Sequence, residues 1–155
     1  MSLVGMFHVG IVVPDLDDAR ERLGALLDLR WGPIVEHPQL ELRDGDGRDF
    51  VGPLRLCYST AFPHIELIEE LPGSVWACNE HSNLHHIGFY SDALGDDSDG
   101  LRAARCPLVL CGRDGSNAPY GFTLQRDPLG LVIELVDATT REASEAFLMG
   151  TGEPG

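Results

Sequence analysis

Apolar positions recur with two different periods along the 155 residues, and each change of period marks an element. Residues 6–13 are apolar and β-branched up to Pro14 and predict a strand. Asp15 then stands where a helix needs its N-cap. Leu16, Ala19, Leu23 and Leu26 follow at helical spacing through Leu27, with Arg20 and Arg22 on the solvent side. Strand-like stretches come next at 31–37, 51–59 and 63–69, the first two separated by the turn-rich Arg43-Asp44-Gly45-Asp46-Gly47. The order then returns. A strand is predicted at 84–91, an acidic helix near 96–104, and strands near 107–111, 120–126 and 130–137. A last helix is expected at 140–148, before a mobile tail at 151–155.

The recurrence extends to the residues themselves. Phe7-His8-Val9-Gly10-Ile11 aligns with His85-His86-Ile87-Gly88-Phe89, and Ile65-Glu66-Leu67-Ile68-Glu69 aligns with Ile133-Glu134-Leu135-Val136-Asp137. The second match is offset less than the first, as one shorter loop would produce. The chain therefore reads as two βαβββ modules, 1–71 and 84–138, with a linker at 72–83 and a C-terminal helix and tail at 139–155.

Strand alternation sorts these residues into faces, because side chains two apart point the same way. Phe7, Val9 and Ile11 oppose His8 and Gly10; Ile87 and Phe89 oppose His86 and Gly88. Ile65 and Leu67 oppose Glu66, while Ile133 and Leu135 oppose Glu134. Each strand thus offers an apolar face to a helix and, on the other face, one imidazole or carboxylate at a repeat-equivalent position. The glycine two residues after each histidine is expected to leave space for a ligand there. Two imidazoles and two carboxylates converging on one cavity suit a divalent transition metal (Zn, Ni, Co, Mn or Fe), with positions left for paired oxygens of a substrate. Taken singly, each has a plainer reading, as a hydrogen-bonded core histidine or an exposed strand carboxylate. Four at matched positions favour the metal, since two carboxylates buried together without a cation are costly.

Composition narrows the partners. The 11 basic residues, all arginine, stand against 25 acidic ones, giving a net charge of −14. That charge repels nucleic-acid backbones and anionic membranes, so neither is an expected partner. Cys57, Cys78, Cys106 and Cys111 form no CxxC pair, and no apolar run approaches the ~18 residues of a membrane span. A reduced, cytoplasmic protein is the expectation.

The segments FHVGIVVPDLDDA at 7–19, HIELIE at 64–69, NLHHIGF at 83–89 and DPLGLVIELVD at 127–137 resemble the vicinal oxygen chelate superfamily. That group includes glyoxalase I, methylmalonyl-CoA epimerase, extradiol dioxygenases and bleomycin-resistance proteins. The resemblance implies an α+β fold in which two βαβββ modules form a curled, mixed-sheet half-barrel cleft with flanking helices. It places the metal-ligand positions on His8, Glu66, His86 and Glu134. The implied activity is that of a lyase or isomerase, glyoxalase-like or epimerase-like, which moves a proton beside a metal-chelated carbonyl of a small molecule. Glu134 is then the first candidate for the proton-carrying base and Glu66 the second. A homodimer is expected by analogy, with the cleft formed within one chain or across two.

The alternatives are a non-catalytic binding or resistance protein and an extradiol-type dioxygenase. A complete His/Glu/His/Glu set weighs against the first, and a second carboxylate crowds the site of the other. Several neighbours carry weaker readings. His64 shares Glu66's face and is a second-layer or alternative ligand, or simply a surface or core histidine. Glu36 and Glu41 fall where a second acid or base would be placed. Arg126 meets a substrate anion or is a solvated turn residue. Trp76 lines a pocket or anchors the linker, His85 on the apolar side is packed or partly exposed, and Glu80 and His81 border the cleft or are simple linker polarity.

Overall fold

A computed structural model describes residues 3–148, the last two by backbone alone. The elements are β1 (Leu3–Val13), α1 (Leu16–Leu27), β2 (Val35–Asp44), β3 (Asp49–Tyr58) and β4 (His64–Glu69). They continue as β5 (Leu84–Ser91), α2 (Leu94–Ala103), β6 (Leu108–Gly112), β7 (Phe122–Arg126), β8 (Val132–Asp137), a 3-10 turn (Ala138–Thr140) and α3 (Arg141–Leu148). The tail expected at 151–155 lies outside the described residues.

Each half repeats one pairing scheme. β1 runs parallel to β4, which pairs antiparallel with β3, and β3 with β2. β5, β8, β7 and β6 do the same. Antiparallel seams β1–β5 and β2–β6 then join the halves, so the α+β fold closes into an eight-stranded barrel in the order β1-β4-β3-β2-β6-β7-β8-β5. The two expected half-barrels also meet along a second edge, at Leu42↔Gly112, Arg43↔Cys111 and Asp44↔Leu110.

Local chemistry accounts for where the elements start and stop. Asp15 caps α1 by accepting from the Asp18 amide at 2.9 Å. β2 runs later than the expected 31–37 and includes Arg43 and Asp44. The Asp44 carboxylate accepts from the amides of Asp46 and Arg48, which confines the turn to the residues after it. α2 begins at Leu94, ahead of the expected 96, where Ser91 Oγ donates to Asp97 Oδ2 at 2.7 Å across its first turn.

Three apolar clusters hold the layers. Leu16, Ala19 and Leu23 of α1 pack on Val13, Ile65, Leu67 and Cys57. Leu26 does not join them: it is 69 % exposed, and Trp31 packs there instead, its Nε1 donating to the Arg20 carbonyl. On the other half, Leu94 and Leu101 of α2 pack on Phe89, Ile133, Leu135 and Cys106. The third cluster fills the barrel from every strand but β5: Val12, Leu42, Leu56, Ile68, Leu110, Leu124 and Val132, with Trp76 among them. Val12, Ile68 and Val132 share the inward face of His8, Glu66 and Glu134, so this cluster is an apolar floor beside those polar groups. Burying each such side chain is worth roughly 1.5–3 kcal/mol.

Phe7 departs from simple alternation. A register shift between Met6 and His8 turns its ring edge-on to His8, 4.3 Å between centroids, and stacks it on Tyr90 at 3.8 Å. All four cysteines are free, and among the described residues no helix is long and apolar enough to cross a membrane.

Candidate metal centre

The seam between β1 and β5 sets two identical exchanges side by side. His8 lies opposite Gly88, and Gly10 lies opposite His86. A Cβ built on Gly10 would stand 2.1 Å from His86 Cε1, and one on Gly88 would stand 1.9 Å from His8 Cε1. The glycines therefore make room for the other half's imidazole rather than directly for a ligand, a correction to the simplest reading of the HxG pattern. Interlocked in this way, the two rings meet nearly perpendicular, with Nε2 atoms 2.7 Å apart.

The parallel partners of these strands supply the carboxylates. Gly10 pairs with Glu66 and Gly88 with Glu134, so each carboxylate is one strand away from the seam. Glu134 Oε2 lies 2.9 Å from His8 Nε2 and 3.3 Å from His86 Nε2; Glu66 Oε2 lies 3.0 Å from His86 Nε2 and 3.5 Å from His8 Nε2. One donor atom from each of the four falls within 4.8 Å of all the others. His8 and His86 are 0 % and 1 % exposed, Glu66 3 % and Glu134 8 %. Surface concavities of about 350 Å³ beside the β2–β6 seam and about 380 Å³ beside α1 include none of the four. The centre lies inside the barrel, and all of its donors come from one chain.

The donor set fits a divalent cation. Oε2 of both glutamates is buried without a hydrogen bond, as is His8 Nδ1. Buried carboxylate oxygens without a donor are costly unless a cation meets them. The spacings also match, since ligands at about 2.0–2.2 Å from one ion lie roughly 3 Å from each other. Without a metal, a proton takes part of its place. Burial opposes charge on His86, but the Glu134 and Glu66 carboxylates outweigh it and push the imidazole up to about 10. Burial likewise raises Glu134, yet the His86 charge and the approach of both imidazoles hold it well below the usual carboxylate range.

Other residues complete or leave the site. Tyr58, opposite Glu66 on β3, donates its hydroxyl to Glu66 Oε1 at 2.5 Å. Burial, and then the Glu66 charge, keeps that phenol proton well above its ordinary value, so it remains a donor. His85 is not merely packed on the apolar side: its Nδ1 lies 2.9 Å from His86 Nδ1, and its Nε2 lies 2.7 Å from the Val75 carbonyl. Burial and the His86 charge push it below the ordinary histidine range. His64 turns to the Ser59 carbonyl at 2.6 Å and stays outside the cluster. Glu36 pairs with Arg55, at 3.0 Å. Glu36, Glu41, Glu80, His81 and Arg126 all lie outside the cluster, and Trp76 is part of the barrel floor. Neither Tyr58 nor the His85 contact stands out in the sequence, because both depend on cross-strand register.

The family model described as Glyoxalase/Bleomycin resistance protein/Dioxygenase superfamily matches residues 7–122. Similar solved structures include a methylmalonyl-CoA epimerase in complex with methylmalonyl-CoA and NH4+, at 20 % identity over 88 % of this chain and 95 % of that one, TM-score 0.63. A variant of the Streptomyces coelicolor methylmalonyl-CoA epimerase in complex with 2-nitronate-propionyl-CoA gives 19 % identity, the same coverage and a TM-score of 0.62. The Mycobacterium tuberculosis methylmalonyl-CoA epimerase gives 24 %, 88 % of this chain and 90 % of that one, TM-score 0.53. At such identities the likeness shows the fold. No curated protein matches the chain.

Two expectations follow from the geometry. Gly10→Ala should cost about 1–3 kcal/mol in chemical denaturation, because a new methyl group drives into the His86 ring. Gly95→Ala in α2, where a Cβ meets nothing within 4 Å, should be neutral or stabilising; equal losses would contradict the interlock. The second concerns chelator-treated protein. His86 has a raised value in the fold, so its contribution is complete below its ordinary value of 6.5 and is lost as pH rises through about 10. Glu134 has a lowered value, so its contribution is present above its ordinary 4.5 and is lost as pH falls towards the folded value. Thermal melting should therefore peak between about pH 4.5 and 6.5 and decline on both sides, and a His86→Asn variant should lose the alkaline decline. A wild-type melting temperature that stays flat from 6.5 to 10 would contradict the coupling.

Proposed function

Because the chain belongs to the glyoxalase/bleomycin resistance/dioxygenase superfamily, we propose that His8, Glu66, His86 and Glu134 hold one divalent metal ion. On this reading the protein is a lyase or isomerase that shifts a proton beside a carbonyl of a small molecule with paired oxygens. The observation that carries it is the convergence of four buried donors from repeat-equivalent positions of two modules. The plainer reading, core histidines beside exposed carboxylates, does not account for two glutamates that are almost fully buried and turn their Oε2 atoms to the same two imidazoles.

A bound ion of this kind supplies a Lewis-acidic centre that withdraws charge from a substrate's oxygens and acidifies the neighbouring C–H. The chain supplies the rest. His8, His86 and Glu66, the three least exposed donors, hold the centre. Glu134 is the most open of the four, and its carboxylate takes the proton from carbon and returns it. The floor of Val12, Ile68, Val132 and Trp76 keeps one side of the centre apolar. An acyl-CoA thioester is a fair first test compound, given what the epimerases of this fold hold; 2-oxo compounds are the second class.

Elemental analysis of protein purified without chelator should find about one divalent metal per chain, lost in a His8→Ala, His86→Ala double variant. Deuterium exchange into 2-oxo compounds and acyl-CoA thioesters, followed by NMR, should fall about 10²–10⁴-fold in Glu134→Gln. Equal metal in wild type and double variant would overturn the centre, and exchange unchanged in Glu134→Gln would overturn the base.

A further inference from the structure

The two halves of the centre are alike in their donors and unlike in what stands behind them. Across the sheet from Glu66 is Tyr58; at the matching place across from Glu134 is Leu124. The Tyr58 hydroxyl binds Glu66 Oε1, which leaves Oε2 facing the two imidazoles. Leu124 has no polar atom to offer, and among the described residues no hydrogen bond reaches the Glu134 carboxylate from outside the cluster.

The histidines show the same asymmetry. The residue before His86 is His85; the residue before His8 is Phe7. The Val75 carbonyl can only accept, so His85 Nε2 carries its proton to that carbonyl and His85 Nδ1 is left as an acceptor. His86 Nδ1–H therefore donates to it, which directs Nε2 of His86 at the centre. Phe7 gives His8 an edge-on ring instead, and His8 Nδ1 is buried without a partner. An outer hydrogen bond of this type sets the tautomer and orientation of a ligand and raises its basicity.

We infer that Tyr58 and His85 are positioning residues that fix Glu66 and His86 by outer hydrogen bonds which Glu134 and His8 lack, so that Glu134 is the carboxylate free to turn. The assignment rests on the metal-centre reading above. It also explains how two repeat-equivalent glutamates take different roles. The carboxylate anchored by Tyr58 stays as a ligand, while the one backed by Leu124 is free to turn towards substrate and carry a proton. A fixed Glu66–His86 pair keeps the centre assembled while Glu134 moves.

Zinc affinity of the full chain, measured by competition with a chromophoric chelator, tests this. Tyr58→Phe and His85→Phe should each weaken binding about 10–100-fold. His85→Gln should recover most of the loss, because its amide oxygen accepts from His86 while its NH₂ donates to Val75. Affinities within twofold of wild type in both phenylalanine variants would overturn the inference. A readout on wild type alone stands beside it: ¹H–¹⁵N spectra of histidine-labelled protein should show His85 as the neutral Nε2–H tautomer, with or without zinc. With zinc, His86 should be protonated on Nδ1. His85 in the Nδ1–H form would overturn the inference even if every variant failed to fold. Wild type that binds no zinc, with His85 in the expected tautomer, would instead sink the metal centre and leave the hydrogen-bond arrangement standing.

Discussion

His8 occupies the space that Gly88 leaves empty, and His86 the space that Gly10 leaves empty, so two imidazoles cross at the seam of two half-barrels. Everything else in the centre depends on this exchange. It requires β1 and β5 to be adjacent and antiparallel in one register, because a slip of one residue would take each histidine away from the glycine opposite it. It brings the parallel neighbours β4 and β8 close enough for their carboxylates to reach the same point. It also buries four polar groups beside an apolar floor, where charge is expensive unless it is matched.

That cost shapes the electrostatics. His86 keeps its proton at alkaline pH because the Glu134 and Glu66 carboxylates outweigh the opposing effect of burial. A divalent cation held by the four donors would satisfy the same oxygens more completely and would separate the two Nε2 atoms. The protein's −14 charge sits mainly elsewhere, on surface carboxylates partly answered by arginines such as Arg55, which meets Asp17, Glu36 and Glu69 together. A negative substrate gains nothing from that surface at long range and depends on contacts at the centre itself.

Much of this was legible in the sequence, and for a physical reason. A strand that buries one face must repeat its pattern every two residues, and a duplicated module must repeat it twice. His8, Glu66, His86 and Glu134 could thus be placed on the inner face from alternation and repeat alone. α1 was equally readable, since Asp15 is both the stop of one period and the cap of the next. What could not be read was whatever depends on register between distant strands. Tyr58 and Leu124 look like any two residues of a half-buried strand until pairing sets one against Glu66 and the other against Glu134. Phe7 escaped alternation because a bulge turns it, and Leu26 fell off its stripe where Trp31 packs instead. The glycines were correctly singled out as space, but the occupant of that space belonged to the other half of the chain.

The central claim is that these four side chains meet in one metal ion. X-ray absorption at the metal edge of protein loaded with one equivalent of zinc tests it most directly, because imidazole rings scatter with a recognisable outer-shell pattern. A shell of nitrogen and oxygen donors at about 2.0–2.2 Å, with two imidazoles and no sulfur, is expected. A spectrum with no imidazole contribution, or with sulfur from the free cysteines, would contradict it.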